Sequence, residues 1–155
     1  MDKLTRTFQV PLSSVKAFNR FVSEVNKWWP KEYTWSQDDL KQISIDPRKD
    51  GLCTELGPFD FRCDWGRVTA IDENTSIDLK WQISPSRVPE PDPGKSSDIH
   101  IEFRNNLDSS TTVVFSHANF SRHGKGYEEY QKAMDSKEGW DYILEKYQEY
   151  CSAAE

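Results

Sequence analysis

The apolar residues of this chain change period twice, and that pattern limits the fold more than any single motif does. Leu4, Phe8 and Val10 alternate with Thr5, Thr7 and Gln9, which predicts a first strand ending at Pro11. Val15, Phe18, Phe21, Val22, Val25, Trp28 and Trp29 then recur at helical spacing behind Ser13 or Ser14, a capping residue type, and Pro30 stops the helix. From Leu40 to His117 the spacing falls to two. Ile43 and Ile45, Gly51 to Leu56, Phe59 to Trp65, Ile77 to Ile83, Ile99 to Phe103 and Val113 to His117 each read as strands. Helical spacing returns with Tyr130, Ala133, Met134, Trp140, Ile143, Leu144, Tyr147 and Cys151, interrupted at Gly139, where Asp135 or Ser136 can cap a second, longer helix. The order is strand, helix, six strands, helix. Short turns between successive strands predict one antiparallel sheet in a single α+β domain over 1–155.

Breaks in the alternation locate irregularities. Gly66 marks a bulge or bend, because the inward set shifts from Cys63 and Trp65 to Val68 and Ala70. Ser84 to Ser97 contains Pro85, Pro89, Pro91, Pro93 and Gly94 with few apolar residues, and reads as an exposed loop. Around Gly57-Pro58 the hydrophobic pattern pairs Leu56 with Phe59. That register places Leu52, Thr54, Leu56, Phe61, Cys63 and Trp65 on the buried face with Cys53 outside, so Cys53 and Cys63 are not expected to bridge.

Composition removes several functional classes. The chain has 155 residues, 30% of them charged, and a net charge of −6, which argues against a nucleic-acid partner because phosphate binding rests on clustered Lys and Arg. No apolar stretch approaches the roughly 20 residues needed to span a bilayer, and Met1 to Arg6 lack the apolar core of a leader, so a cytoplasmic protein without membrane insertion is expected. Three cysteines without C-x-x-C spacing fit a reducing compartment better than a disulfide framework or a zinc site. His117 and His123 lack metal-ligand spacing, and no G-x-S-x-G elbow is present. Neither a metal nor a cofactor is expected.

Six tryptophans are a heavy load for this length. Trp65, Trp81, Phe61 and Phe115 fall on inward strand positions, while Trp29 and Trp140 come from the flanking helices. These rings can line a cavity, or they can simply fill the core. His117 shares the inward parity of Phe115, which makes it the best titratable candidate inside the sheet, either as a ligand contact or as a weak general acid or base. A hydrogen-bonded structural role is the ordinary alternative. His123, next to Gly124, is expected to bond locally. Adjacent residues of a helix are rotated by about 100°, so one of Trp28 and Trp29 can face the sheet while the other meets Tyr33 to Trp35; together these residues can form an entrance lid or an exposed apolar patch for a partner protein. Arg62 and Asp64 share the outward face as a solvated pair.

Taken together, Trp28-Trp29-Pro30, Asp64-Trp65-Gly66-x-Val68, Trp81-Gln82, His117-x-x-Phe120-x-x-His123-Gly124 and Gly139-Trp140-x-x-Ile143-Leu144 carry a family likeness. From about Leu4 to Tyr147 the chain resembles the family named for homologues of the activator of the ninety-kilodalton heat-shock chaperone's ATPase, within the START-like, birch-pollen-allergen-like superfamily. The resemblance implies a helix-grip fold: a bent antiparallel sheet of seven strands wrapped around a long C-terminal helix, with a cavity between them. It also implies lipid, sterol, polyketide or hormone ligands, with cyclases and aromatases among superfamily members. The leading expectation is therefore binding of a small hydrophobic or aromatic molecule by Trp29, Phe61, Trp65, Trp81, Phe115, His117 and Trp140, without conversion. The alternatives are a cyclase or hydratase using His117, and a protein-interaction module acting on a chaperone or as a homodimer.

Overall fold

The computed structural model describes residues 3–153; residues 1, 2, 154 and 155 of the expected 1–155 domain lie outside the described residues. Strand β1 (Lys3–Val10) leads into two short helices, α1 (Ser14–Val22) and α2 (Val25–Trp28). Six strands follow: β2 (Gln42–Ile45), β3 (Leu52–Leu56), β4 (Arg62–Asp72), β5 (Ser76–Trp81), β6 (Ser97–Asn105) and β7 (Thr111–Ala118). Helices α3 (Tyr127–Met134) and α4 (Trp140–Ser152) close the chain.

All strand pairs are antiparallel, and the sheet runs β1-β7-β6-β5-β4-β3-β2. Strands β2 to β7 are spatial neighbours in chain order, and β1 crosses over to pair with β7. One face of the sheet carries Ile77, Leu79, Ile99, Ile101, Val113 and Phe115, each buried, and the helices cover it. Tyr147 of α4 packs on Phe8, Phe21 and Trp28 and donates its hydroxyl to the Ala17 carbonyl at 2.7 Å, joining α4 to β1, α1 and α2. On the opposite face, charged residues pair across strands, as Lys80 does with Asp98 at 2.8 Å. An α+β helix-grip architecture results.

Several expectations need correction. The first helix breaks at Ser23-Glu24, because Trp28 turns back and donates its indole N–H to the Arg20 carbonyl at 2.9 Å. Val15, expected on the buried face, is exposed. Trp28 meets Phe21 and Tyr147, and it is Trp29 that reaches the Tyr33–Trp35 segment, donating its indole N–H to the Tyr33 carbonyl at 3.5 Å. The second helix begins at Trp140, capped by Gly139 instead of Asp135 or Ser136. Asp135 is bound by Arg6, which also pairs with Asp141 and so ties β1 to the α3–α4 connection.

The β3–β4 hairpin has the opposite facing from the one expected on β3. Leu56 pairs with Arg62 across a loop of residues 57–61, in which Phe59 and Asp60 take left-handed backbone angles. This longer loop puts Cys53 and Glu55 inside and leaves Leu52, Thr54 and Leu56 half-buried. Glu55 pairs with Cys63, whereas Cys53 pairs with Gly66, so the two sulfurs are not opposed and all three cysteines are free. Phe61, expected to point inward, belongs to the turn and is 38% exposed.

Register shifts occur on both sides of Gly66. Trp65 is the extra residue against β3, and Thr69 is the extra residue against β5. The first shift carries inward facing from Trp65 to Gly66 and Val68; the second turns Ala70, expected inside, out to solvent. At Gly66 the backbone of β5 passes too close for a side chain, since a Cβ there would lie 2.6 Å from the Lys80 carbonyl oxygen.

Candidate functional site

The inward tryptophans form a contiguous cluster. Trp29 stacks on Trp65 with centroids 5.8 Å apart, and Trp81 contacts Trp65 at 6.0 Å and Trp140 at 5.3 Å. Phe115 closes the base of the cluster, 4.5 Å from Trp140. Among these rings the free space is about 10 Å³, near the minimum for one water. The region expected to be the cavity is therefore packed, and Trp65, Phe115 and Trp140 form its floor.

The usable space lies one layer outward. A half-open cavity of about 540 Å³ is bounded by Trp29, Tyr33 and Trp35 on one side, Trp81, Ile83 and Arg87 at the end of β5, and Tyr130, Ala133, Met134 and Ile143 from the closing helices. Pro30 sets this wall by forcing Trp29 out of the helix into an extended conformation (φ −61°, ψ 130°), which frees its ring to cross toward the sheet. Gly139 sets another wall. A Cβ there would collide with the Ala133 and Met134 carbonyls, so only glycine permits α4 to restart directly against the end of α3.

Few polar groups face this space uncommitted. Tyr130 Oη accepts the Trp81 indole N–H at 2.7 Å and donates to the Ile83 carbonyl at 2.8 Å. Burial pushes its pKa up to about 12, despite opposing effects of the Trp81 hydrogen bond and Arg87. Tyr33 donates its hydroxyl to the Glu138 carbonyl at 2.6 Å. The segment carrying Trp35 is itself held by Glu55, buried on β3, whose carboxylate accepts from the backbone N–H groups of Trp35 at 3.2 Å and Ser36 at 2.8 Å.

His117 is fully buried but does not line the cavity. Its Nδ1 accepts the Trp140 indole N–H at 2.9 Å, and an indole nitrogen can only donate, so the imidazole proton lies on Nε2. Nε2 then donates to Ser97 Oγ at 2.6 Å, and the Ser97 hydroxyl donates to His123 Nε2 at 2.7 Å. Burial first, and the neighbouring His123 second, hold the His117 pKa well below its ordinary value, against a weaker pull from Asp98. Both ring nitrogens are committed to this relay, which anchors Trp140 to the sheet. His123, expected to bond locally, instead reaches across to β6.

Of the seven predicted ligand contacts, Trp29 and Trp81 border the cavity, Trp65, Phe115 and Trp140 underlie it, His117 supports Trp140, and Phe61 stands apart. The thiols offer no ready nucleophile. Cys63 is raised to about 12 by burial, with Glu55 and Asp64 adding to the effect, and Cys53 is raised further for the same leading reason. Among the described residues, no group of three His, Cys, Asp or Glu side chains could hold a metal ion, and no helix is long and apolar enough to cross a membrane. Sequence reasoning missed Arg87, Tyr130, Met134 and Glu55. Tyr130 and Met134 carried a helical-face signal and Glu55 carried none beyond being an acid between apolar strands.

A sheet gripping a terminal helix, with an aromatic-walled cavity at one end, defines the START-like class of helix-grip proteins. The profile of one family in that class, described as Activator of Hsp90 ATPase homolog 1-like protein, matches residues 22–152, and the chain belongs to that family. No curated protein matches the sequence. Among solved structures the chain is similar to an anthrahydroquino-γ-pyrone synthase, Txn09, complexed with SUM, at 23% identity over 96% of each chain (TM-score 0.68). It is also similar to CalC, a self-sacrificing resistance protein from Micromonospora echinospora, at 20% identity over 99% of this chain and 97% of that one (TM-score 0.69). The Aha1 dimer from Colwellia psychrerythraea aligns at 15% identity over 98% and 97% of the two chains (TM-score 0.67). These likenesses show the shared fold.

Proposed function

We propose that the protein binds a small, mainly apolar, planar molecule in the 540 Å³ cavity and releases it unchanged. The cavity itself carries this reading: its volume lies in the range of small-molecule sites, and four aromatic rings, Trp29, Tyr33, Trp35 and Trp81, supply stacking surfaces. A floor of interlocked indoles makes the site rigid before the ligand arrives, which lowers the ordering cost of binding. The described synthase and resistance protein, which share the fold, support a role in handling small molecules. Conversion would need a titratable group free to act at the wall, and Glu32 there already accepts the Tyr142 hydroxyl. Tyr130 is hydrogen-bonded on both sides with a raised pKa, and His117 lies below the floor. The three free thiols support a cytoplasmic setting.

Titration of the protein with 1-aminoanthracene, a neutral tricyclic probe, tests the proposal. Saturable binding is expected in the wild type and in Phe61→Ala, whose ring is outside the cavity. Ala133→Trp, which fills the cavity from a half-exposed helix position, is expected to abolish binding with little change in Tm. Equal affinity in the Ala133→Trp protein would overturn the reading.

A further inference from the structure

Among the described residues, Arg87 is the one positively charged side chain in the cavity lining, and its surroundings prepare it for an anion. Its backbone takes a left-handed conformation (φ 65°) and is fixed at two points. The amide donates to the Ser84 carbonyl at 2.8 Å, and the Arg87 carbonyl accepts the Trp35 indole N–H at 2.9 Å. The guanidinium lies across the Tyr130 ring, with Cζ 4.4 Å from the centroid, a favourable cation–π arrangement that also restricts the side chain. Nη1 donates to the Pro85 carbonyl. Among the described residues, no carboxylate pairs with the guanidinium, and the Nε–Nη2 edge has no hydrogen-bond partner.

The acids at the cavity wall do not neutralise it. Glu32 accepts the Tyr142 hydroxyl, a hydrogen bond that also holds its carboxyl below the ordinary range, and Glu138 contributes its main-chain carbonyl to Tyr33. A guanidinium edge presents two parallel N–H groups whose spacing matches the two oxygens of a carboxylate, and a charge-assisted pair of this kind is stronger than a neutral hydrogen bond.

From this geometry we infer that the cavity is specific for an aromatic carboxylate, whose ring system lies against Trp29 and Trp81 and whose carboxylate is clasped by the Nε–Nη2 edge of Arg87. The inference rests on the cavity reading above and adds the ligand's charge to it. Arg87 and Tyr130 also border a second, more open groove that contains Lys125, so the site of the anion must be distinguished as well.

The experiment compares anthraquinone-2-carboxylate with its neutral isostere anthraquinone-2-carboxamide at pH 7, using quenching of tryptophan emission to obtain each Kd. The wild type is expected to prefer the acid by about tenfold or more, equivalent to about 1.4 kcal/mol. In Arg87→Gln the preference should collapse to within about twofold through weaker acid binding alone, with the amide Kd as internal control for an intact cavity. Arg87→Lys should restore part of the preference, and Lys125→Gln should leave it unchanged. Equal binding of acid and amide by the wild type would overturn the inference while leaving the cavity reading intact. So would a preference that persists in Arg87→Gln or disappears in Lys125→Gln. Failure of both molecules to bind the wild type would overturn both.

Discussion

In the unfolded chain His117 has an ordinary pKa of about 6.5, whereas in the folded protein burial, and after it the neighbouring His123, hold it neutral well below that value. As the pH falls below 6.5, the unfolded state takes up a proton that the folded state refuses. Stability is therefore complete above the unfolded pKa and declines below it, by up to about 1.4 kcal/mol for each pH unit. Integrated from pH 7 to pH 5, the loss through His117 is about 2 kcal/mol, a large share of the stability of a domain this size. His100 works in the opposite sense. Burial pulls its pKa down, but hydrogen bonds to Glu102 and Asp78 raise it on balance, so its contribution is present at low pH and disappears as pH rises through the folded pKa. His100 and the surface carboxylates contribute equally to wild type and to His117→Gln, whose amide can still accept from Trp140 and donate to Ser97. Urea denaturation of both proteins at pH 7 and pH 5 isolates the effect. The wild type should lose about 2 kcal/mol more than the variant over this interval, and equal losses would refute the neutral, fully committed imidazole.

Tyr130→Phe removes the partner of both the Trp81 indole N–H and the Ile83 carbonyl, and should cost about 1–3 kcal/mol in denaturant titrations; an unchanged midpoint would show that the hydroxyl does not hold Trp81. Glu55→Gln turns an amide NH₂ toward one of two backbone donors, so it should destabilise by about 1–3 kcal/mol and speed amide exchange at Trp35 and Ser36 ahead of the central strands. Gly66→Ala forces a Cβ against the Lys80 carbonyl and should lower Tm by several degrees through about 1–3 kcal/mol of overpacking. A wild-type Tm in that variant would contradict the close approach of β5.

The sheet was readable because alternation reports only which face a residue takes. Leu79, Trp81, Ile99, Ile101, Val113 and Phe115 keep one parity along continuous antiparallel neighbours, and the structure buries all of them. Parity fails where a loop length is misread. The β3–β4 loop spans 57–61 rather than a tight turn, and that reverses Cys53 and Glu55 together. The helix break at Ser23-Glu24 was hidden because Val22, Val25 and Trp28 satisfy helical spacing on either side of it. The site was less legible for a different reason. Inward parity identifies rings that could surround a space, but it does not say at what depth they meet. Trp65 and Trp140 both pack on Trp81, with Phe115 behind Trp140, and the opening forms where Pro30 and Gly139 displace the covering segments. Arg87 lay beyond the reach of any periodicity, since its position depends on one indole hydrogen bond and one ring face.

The spacing of Trp29, Trp65, Trp81 and Trp140, each within 6.4 Å of at least two of the others, has an optical consequence. Excitation absorbed by one chromophore at such separations migrates to its neighbours before it is emitted, so the four should fluoresce as one depolarised array. A guest touching Trp29 or Trp81 would then dim the emission of rings it never meets. The protein would carry its own reporter of occupancy, with a signal larger than the area of contact alone would give.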